Sequence, residues 1–205
     1  PFADESMIPT YCLAEFAKQY VDVVLTGDGS DEFFHGYERY FFSGEEAKYL
    51  DLFSAFPNQV LQLVCPSYSI HEPHHTMTGL GERQRSLNDI KTYLPDDILT
   101  KVDRACMAVS LEARAPFLNS QVTNFALKCS FKALIGDQRR GKEILRDAMR
   151  GHLPEFILDR QKMGFGVPLA QWLRSSLKTW MSEKLLTGSL INSSWFSKEI
   201  GRASC

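Results

Sequence analysis

Residues 23–32, with the sequence VVLTGDGSDE, place closely spaced acids and glycines directly after an apolar run. Asp28 and Asp31 beside a helix N-terminus would repel a phosphate unless a hard, oxygen-binding cation lay between them. The pattern therefore predicts a polyphosphate site bridged by Mg²⁺. Gly27 and Gly29 allow positive φ and a close approach of backbone N–H groups to a ligand. The same pattern is compatible with a plain strand-to-helix turn, whose acids only cap the helix and favour its dipole.

This turn needs a strand before it and a helix after it. Apart from Asp22, residues 21–25 are Val and Leu, which is typical of a strand covered on both faces. A helix is predicted to begin near Ser30 or Asp31, with Ser30 capping its first backbone N–H groups. Its apolar residues recur at broadly helical spacing, at Phe33, Phe34, Tyr37 and Phe41.

Most of the remaining chain is predicted to be helical. Helical patterns cover residues 8–20, 45–56, 58–64, 83–93, 96–109, 120–128, 141–150 and 169–186. Residues 65–82, rich in Pro, Ser, Thr, His and Gly, are predicted to form a surface loop, and residues 164–168 a mobile loop. A lone parallel strand would lack partners for its backbone groups. We therefore expect a helix-dominated α/β fold whose parallel sheet is incomplete in this chain.

Composition narrows the class of protein. The 205 residues are 44% hydrophobic, which is enough for one sizeable core, and the net charge is -2. Mixed charge of this kind argues against nucleic-acid or membrane partners, and no run reaches transmembrane length. The five cysteines are odd in number and include no CxxC pair, so we expect buried thiols in a cytoplasmic protein.

Four ordered segments resemble the synthetase domain of the glutamine-dependent asparagine synthetase family. They are PFADESMIPTY (1–11), LTGDGSDEFFHGYERY (25–40), LPDDILTKVDRACMAVSLEARAPFLN (94–119) and LDRQKMGFGVPLAQWL (158–173). The resemblance implies an ATP-pyrophosphatase domain, similar to adenine nucleotide alpha hydrolases, with the nucleotide at the carboxyl end of the strand. The family's first phosphate loop and its glutaminase domain have no counterpart in residues 1–205. We therefore expect this chain to be the carboxy-terminal part of a synthetase domain.

The resemblance also implies a reaction. Family members use ATP and Mg²⁺ to adenylate the side-chain carboxylate of aspartate, and ammonia from glutamine then gives asparagine, AMP and pyrophosphate. The implied partners are these small molecules, and a homodimer is compatible with the sequence. The alternatives are a related synthetase that adenylates another carboxylate, in β-lactam formation or peptide cyclisation, and a non-catalytic interaction module. Because the phosphate loop is missing, we expect the isolated chain to be inactive.

Individual site residues follow from the matching motifs. The resemblance assigns Asp31 to the metal, Asp28 to the acid that holds or deprotonates ammonia, and Lys162 to the α-phosphate. Well-studied members carry a glutamate at the position of Asp28. The implied nucleotide-binding residues are Leu25, Gly27, Gly29 and Ser30. On residue type alone, Asp28 is equally typical of a turn, and Lys162 of a solvent-facing lysine.

Four further groups have weaker patterns. Charges between apolar residues predict a structural ion-pair network of Asp103, Arg104, Glu112 and Arg114, with recognition of the amino acid or pyrophosphate as the alternative. The basic helix start of Arg139, Arg140, Lys142 and Arg146 is predicted to be solvated, a phosphate contact being the alternative. The histidines His71, His74 and His75 are more typical of a polar loop than of a zinc site. The apolar stripe of Leu169, Trp172, Leu173, Leu177 and Trp180 is typical of core.

Overall fold

The computed structural model describes residues 4–41, 82–160 and 164–187, which fall into two compact units. The first unit contains residues 4–41, 82–160 and 164–167, and the second contains residues 168–187. The helices predicted over 45–56 and 58–64, the three histidines, and nearly all of the loop predicted over 65–82 lie outside the described residues. All of the sites discussed below belong to the first unit.

The first unit begins with a helix, a strand and a short helix. They are α1 (Met7–Lys18), β1 (Val23–Leu25) and α2 (Ser30–Phe33). The predicted helix and strand before the turn are confirmed with shorter bounds. The helix after the turn is much shorter than its apolar pattern suggested, because Phe34 leaves helical geometry and His35 adopts a left-handed φ of 57°. The chain resumes only as a 3₁₀ turn at Glu38–Tyr40.

The rest of the first unit is mainly helical, as predicted. Its α-helices are α3 (Glu82–Lys91), α4 (Thr100–Met107), α5 (Ser120–Lys128), α6 (Phe131–Ile135), α7 (Glu143–Met149) and α8 (Glu155–Leu158). The helix predicted over 96–109 is divided into a π-helical turn, Leu94–Leu99, and α4. Asn119 and Ser130 cap α5 and α6, since their side chains accept hydrogen bonds from Gln121 N and Ala133 N.

A second strand corrects the expectation of a lone one. Strand β2 (Glu112–Arg114) pairs in parallel with β1, with Val24 opposite Ala113. The strand Glu-Ala-Arg has no apolar run, so its pattern does not distinguish it from a loop. The prediction that β1 is covered on both faces is wrong for the described residues, where the exposed fractions of Val23 and Leu25 are 40% and 74%.

Two apolar clusters hold the turn between β1 and α2. One cluster packs Ala14 of α1, Cys106 of α4 and Leu111 against Val24 and Ala113 of the sheet. The other contains the buried residues Phe33, Phe34, Leu94, Ala126 and Leu134. Because β1 is anchored in the first cluster and α2 in the second, residues 26–29 are held from both ends.

The second unit contributes two helices to the described residues. The single helix predicted over 169–186 is instead α9 (Leu169–Arg174) followed by α10 (Lys178–Thr187). The break falls at Ser175, whose φ of -126° and ψ of -97° are not helical. The predicted core role of Trp180 is wrong within these residues, because 54% of it is exposed. Across the described parts of the chain, every helix is too short or too polar to span a bilayer.

Candidate functional site

In the turn after β1, one position requires glycine for steric reasons. Gly29 has a φ of 85° and is the N-cap of α2, so Ser30 is the first helical residue and its predicted capping role is wrong. A Cβ atom at Gly29 would lie 3.2 Å from Leu118 Cγ and closer still to Cδ2. Positive φ and this close packing both select glycine. By contrast, a Cβ at Gly27 would meet nothing within 4 Å.

Asp31 forms an ion pair with a lysine that lies far away in the sequence. Lys142 Nζ is 3.0 Å from Asp31 Oδ1, and it also donates a hydrogen bond of 2.9 Å to Ser30 Oγ. The side chains of Lys142 and Asp31 are only 28% and 20% exposed. The prediction that this lysine belongs to a solvated face is therefore wrong. The acidic turn and the basic segment, residues 139–146, form one cluster.

The backbone around Lys142 holds its side chain toward Asp31. Lys142 has a left-handed φ of 56°, and its backbone N–H donates to the Phe34 carbonyl over 2.9 Å. The preceding Gly141 has a φ of 73°, and a Cβ atom there would lie 3.0 Å from the His35 carbonyl carbon and closer still to its oxygen. The segment before α7 is therefore packed directly against the segment after α2.

Gly36 is a functional candidate that the sequence analysis did not single out. A Cβ atom at Gly36 would lie 2.9 Å from Asp31 Cγ and closer still to Oδ1 and to Lys142 Cε. The Gly36 backbone N–H also donates to the Asp31 carbonyl over 2.8 Å. The only indication of this role in the sequence was the position of Gly36, five residues after Asp31.

A cleft of about 570 Å³ surrounds the Asp31 and Lys142 pair, and we call it the basic cleft. Its charged lining comprises five cations and three acids, namely Arg139, Arg140, Lys142, Arg146 and Arg160 with Asp31, Glu38 and Asp159. Two of these arginines are held by neighbours. Arg140 Nη1 pairs with Asp159 Oδ1 at 2.7 Å, and Arg146 Nε donates to the Gly141 carbonyl at 3.1 Å. Such a lining favours a multiply charged anion.

A metal ion fits this cleft only together with an anion. The described residues contain no group of three or more His, Cys, Asp or Glu side chains arranged to hold a metal. Asp31 is a single carboxylate that already pairs with Lys142. Mg²⁺ is commonly held by one or two carboxylates with substrate phosphates and water as its other ligands. The residues therefore fit a magnesium polyphosphate, with Asp31 as the protein ligand, and do not make an all-protein metal site.

Asp28 lines a different cleft from Asp31. This second cleft of about 480 Å³, which we call the Asp28 cleft, also contains Thr26 and Asp103. Its walls are largely apolar and include Leu99, Val102, Met107, Leu111, Ala113, Ala115 and Leu118. Thr26 Oγ1 is buried without a hydrogen-bond partner among the described residues. The turn therefore separates the two predicted acids and presents each to its own cavity.

A buried cysteine lies beside Asp28. Cys106 also lines the Asp28 cleft, and burial raises the pKa of its thiol, with the negative charges of Asp28 and Asp103 adding to the effect. The thiol therefore stays protonated near neutral pH and is a poor nucleophile. Of the other cysteines within the described residues, Cys12 is exposed and Cys129 is half-buried, so the prediction of buried thiols holds for Cys106 only.

The ion-pair network predicted around β2 is not formed. Arg114 Nε and Glu112 Oε1 pair at 2.8 Å, but both side chains are more than half exposed. Asp103 and Arg104 are exposed on α4, and neither joins an ion pair with another residue in the described ranges. Exposure removes the physical requirement for pairing, since the charges stay in water.

Buried polar networks support the segments that flank the turn. Asp89 is fully buried and accepts hydrogen bonds from Arg39 Nε, Arg39 Nη2 and Tyr40 Oη at 2.9, 2.6 and 2.6 Å. Near the start of the chain, Lys101 Nζ donates to Asp4 Oδ2 and Ser6 Oγ, both at 2.7 Å. These bonds tie residues that are 50 and 97 positions apart, and so they position the elements that carry both clefts.

Comparison with known proteins identifies the family of this sequence. The sequence model of the asparagine synthase family matches residues 1–204. This chain belongs to the asparagine synthase family. The match covers nearly the whole sequence, so the turn, both clefts and the basic segment all lie within the asparagine synthase region.

Several curated asparagine synthetases are similar to the chain. Asparagine synthetase [glutamine-hydrolyzing] 1 of Bacillus subtilis is 30% identical over 88% of this chain and 36% of its own length. A putative asparagine synthetase of Mycobacterium tuberculosis is 29% identical over 85% of this chain and 34% of its own. Asparagine synthetase B of Escherichia coli is 28% identical over 77% of this chain and 23% of its own. The chain thus spans about a third of the length of its first relatives.

The remaining predicted site residues are placed as follows. Leu25 ends β1 with an exposed side chain, opposite Arg114 of β2. Lys162 lies outside the described residues, so its role stays a prediction. Arg160, two positions earlier, lines the basic cleft. No aspect of residue type or spacing indicated that Arg140, Arg146 and Arg160 would surround Asp31, because they are separated from it by more than 100 positions.

Proposed function

We propose that this chain is the synthetase part of a ligase that makes asparagine from aspartate, ATP and ammonia derived from glutamine. The relatives are named glutamine-hydrolysing asparagine synthetases, and the chain matches about a third of their length. The observation that carries the proposal is the pairing of Asp31 with Lys142 at the end of a parallel strand, inside a cleft with an excess of cations. Ligands of open parallel sheets commonly bind at this end.

The basic cleft is proposed to bind the polyphosphate of ATP. Arg140, Arg146 and Arg160 offer guanidinium groups that suit phosphate oxygens, and Lys142 offers an ammonium. Their charge would stabilise the negative charge that accumulates on pyrophosphate as it leaves. Mg²⁺, held by Asp31 and phosphate oxygens, would supply further charge neutralisation there. Lys162 is proposed to act similarly on the α-phosphate.

The Asp28 cleft is proposed to hold the carboxylate that becomes adenylated. Its largely apolar walls offer few hydrogen-bond partners to water, which would hydrolyse the activated acyl group. The buried Thr26 Oγ1 is available to a ligand, since it has no partner among the described residues. Asp28, half-buried at the edge of this cleft, is proposed to accept a proton from ammonia or to hold it by a hydrogen bond.

The test is ATP–pyrophosphate exchange in the presence of aspartate and Mg²⁺. It is run on this chain and on the longest natural polypeptide that contains it. We expect the longer protein to exchange, and Asp31→Asn and Lys162→Ala to lower the rate by about two to three powers of ten. The matched control is Asp137→Asn, because Asp137 is an exposed acid whose partner, Lys132, lies outside the basic cleft.

Two results would contradict the proposal. Exchange that is unchanged in Asp31→Asn would remove the basic cleft from the reaction. Exchange with another carboxylate and none with aspartate would contradict asparagine synthesis, and would favour a relative that forms a β-lactam or cyclises a peptide.

A further inference from the structure

The Asp31 carboxylate is already neutralised by a cation that belongs to the protein. Lys142 Nζ forms an ion pair with Oδ1 at 3.0 Å, and the Ser30 hydroxyl accepts a hydrogen bond from the same ammonium. Mg²⁺ binds carboxylate oxygens at about 2.0–2.1 Å. Because two cations on one oxygen repel each other strongly, the ammonium and a metal ion compete for Asp31.

The competing ammonium is held in place by the backbone. The N–H of Lys142 donates to the Phe34 carbonyl, and Gly141 packs tightly against the carbonyl group of His35. The Lys142 side chain is more than two-thirds buried, so it has little freedom to leave Asp31 for solvent. A lysine held in this way loses little side-chain entropy when it forms the ion pair.

The surrounding positive charges also oppose the binding of a free metal ion. Arg139, Arg140, Arg146 and Arg160 all line the cleft around the pair, so the cleft repels a free divalent cation and attracts an anion. A polyphosphate favours metal binding, because its oxygens can bind the Lys142 ammonium in place of Asp31 and can supply most of the metal ligands. The Asp31–Lys142 pair would then be replaced by an Asp31–metal contact and a Lys142–phosphate contact.

We propose that Lys142 is a built-in counter-ion that competes with a free divalent cation for Asp31. It allows Asp31 to bind a cation that arrives together with a polyphosphate. This inference rests on the proposed binding of polyphosphate in the basic cleft. It assigns to Lys142 a positioning and selectivity role, and it makes metal binding depend on the anion.

The experiment measures by equilibrium dialysis the Mn²⁺ retained with the protein, with and without inorganic tripolyphosphate on both sides of the membrane, because tripolyphosphate itself binds Mn²⁺ in solution. Wild-type protein is expected to bind Mn²⁺ weakly by itself and much more tightly when tripolyphosphate is present. Lys142→Gln is expected to bind Mn²⁺ alone about tenfold more tightly than wild type, the size expected for losing one partly buried competing charge. Lys132→Gln is the matched control, because Lys132 pairs with Asp137 on the exposed surface.

Two further variants keep the result interpretable. Lys142→Met preserves the aliphatic stem, and circular dichroism identifies whichever Lys142 variant remains folded. The double variant Asp31→Asn with Lys142→Gln is expected to lose the gained Mn²⁺ site. If folded Lys142 variants bind free Mn²⁺ no better than wild type, or if the gain survives in the double variant, the counter-ion role is overturned.

The two proposals fail in different arms of this experiment. If tripolyphosphate alone does not bind to wild type in a parallel calorimetric titration, the proposed function of the basic cleft fails. If tripolyphosphate binds but wild type binds Mn²⁺ equally well without it, the counter-ion proposal alone fails.

Discussion

The Gly36 backbone lies against the Asp31 carboxylate, so that a Cβ atom on Gly36 would be only 2.9 Å from Asp31 Cγ. The same Cβ would overlap Lys142 Cε, whose side chain completes the ion pair. Gly36 thus makes room for the pair that defines the basic cleft. Because the overlapping atoms belong to partly buried side chains, a small substitution is expected to affect ligand binding as well as packing.

Gly36→Ala is predicted to displace Asp31 and Lys142. We expect a loss of about 1–3 kcal/mol in the free energy of unfolding, the usual cost of overpacking, and a weaker affinity for magnesium tripolyphosphate. Urea denaturation and calorimetry measure the two effects. Gly166→Ala is the control, because its Cβ would lie 3.6 Å from Glu5 Oε1, an ordinary contact. Equal stability of the two variants would contradict the steric argument.

Removing the Asp89 carboxylate is predicted to destabilise the first unit. Asp89→Ala leaves the Arg39 guanidinium and the Tyr40 hydroxyl without their buried acceptor. We expect a cost of about 3–5 kcal/mol in the free energy of unfolding, because the guanidinium charge is left buried. Tyr40→Phe removes only one hydrogen bond and should cost about 1 kcal/mol. Urea denaturation that ranks the two variants in the opposite order would show that the network is not the main support.

His35 is predicted to make stability depend on pH. Its side chain is 2% exposed, and burial is the main cause that lowers its pKa from 6.5 to about 4. The positive charge of Arg83 lowers this pKa further, while the Phe33 carbonyl acts in the opposite direction. The unfolded chain therefore takes up a proton near pH 6.5 that the folded protein resists. The stabilisation from a neutral His35 is complete above pH 6.5 and is lost as the pH falls from 6.5 toward 4.

The corresponding measurement is urea denaturation between pH 7.5 and pH 4.5. We expect His35 to contribute a slope of up to about 1.4 kcal/mol per pH unit in the lower part of this window. His35→Asn should flatten the slope, since asparagine tolerates the left-handed φ of this position. His152→Asn, at an exposed histidine, should leave it unchanged. A slope that persists in His35→Asn would assign the pH dependence to other groups.

The arginines of the basic cleft are predicted to contribute affinity for polyphosphate. Arg146→Gln and Arg160→Gln should each weaken tripolyphosphate binding about fivefold to tenfold, because each removes one charge-assisted contact. The affinity of wild type should also fall as salt is raised. Arg104→Gln is the control, since Arg104 is exposed and lies outside the cleft lining. Calorimetry in which all three variants bind equally would remove these arginines from the site.

Local patterns were sufficient for most helices of the described residues. The helix predicted over 120–128 has the bounds Ser120–Lys128, and the helix predicted over 83–93 is Glu82–Lys91. Amphipathic periodicity and terminal signals act within a few residues, so the sequence displays them directly. The sequence predicted positive φ equally for Gly27 and Gly29, and of these two the structure has it at Gly29.

The sequence by itself determined the acidic turn, the helical majority and the family resemblance, because each depends on neighbouring residues. Tertiary structure alone decided that β2 pairs with β1, that Asp28 and Asp31 line separate clefts, and that Lys142 neutralises Asp31. The Ser30 and Lys142 side chains that meet there are 112 positions apart. A lysine is paired rather than solvated when packing brings a distant carboxylate within 3–4 Å of it. Residue type alone does not determine that distance.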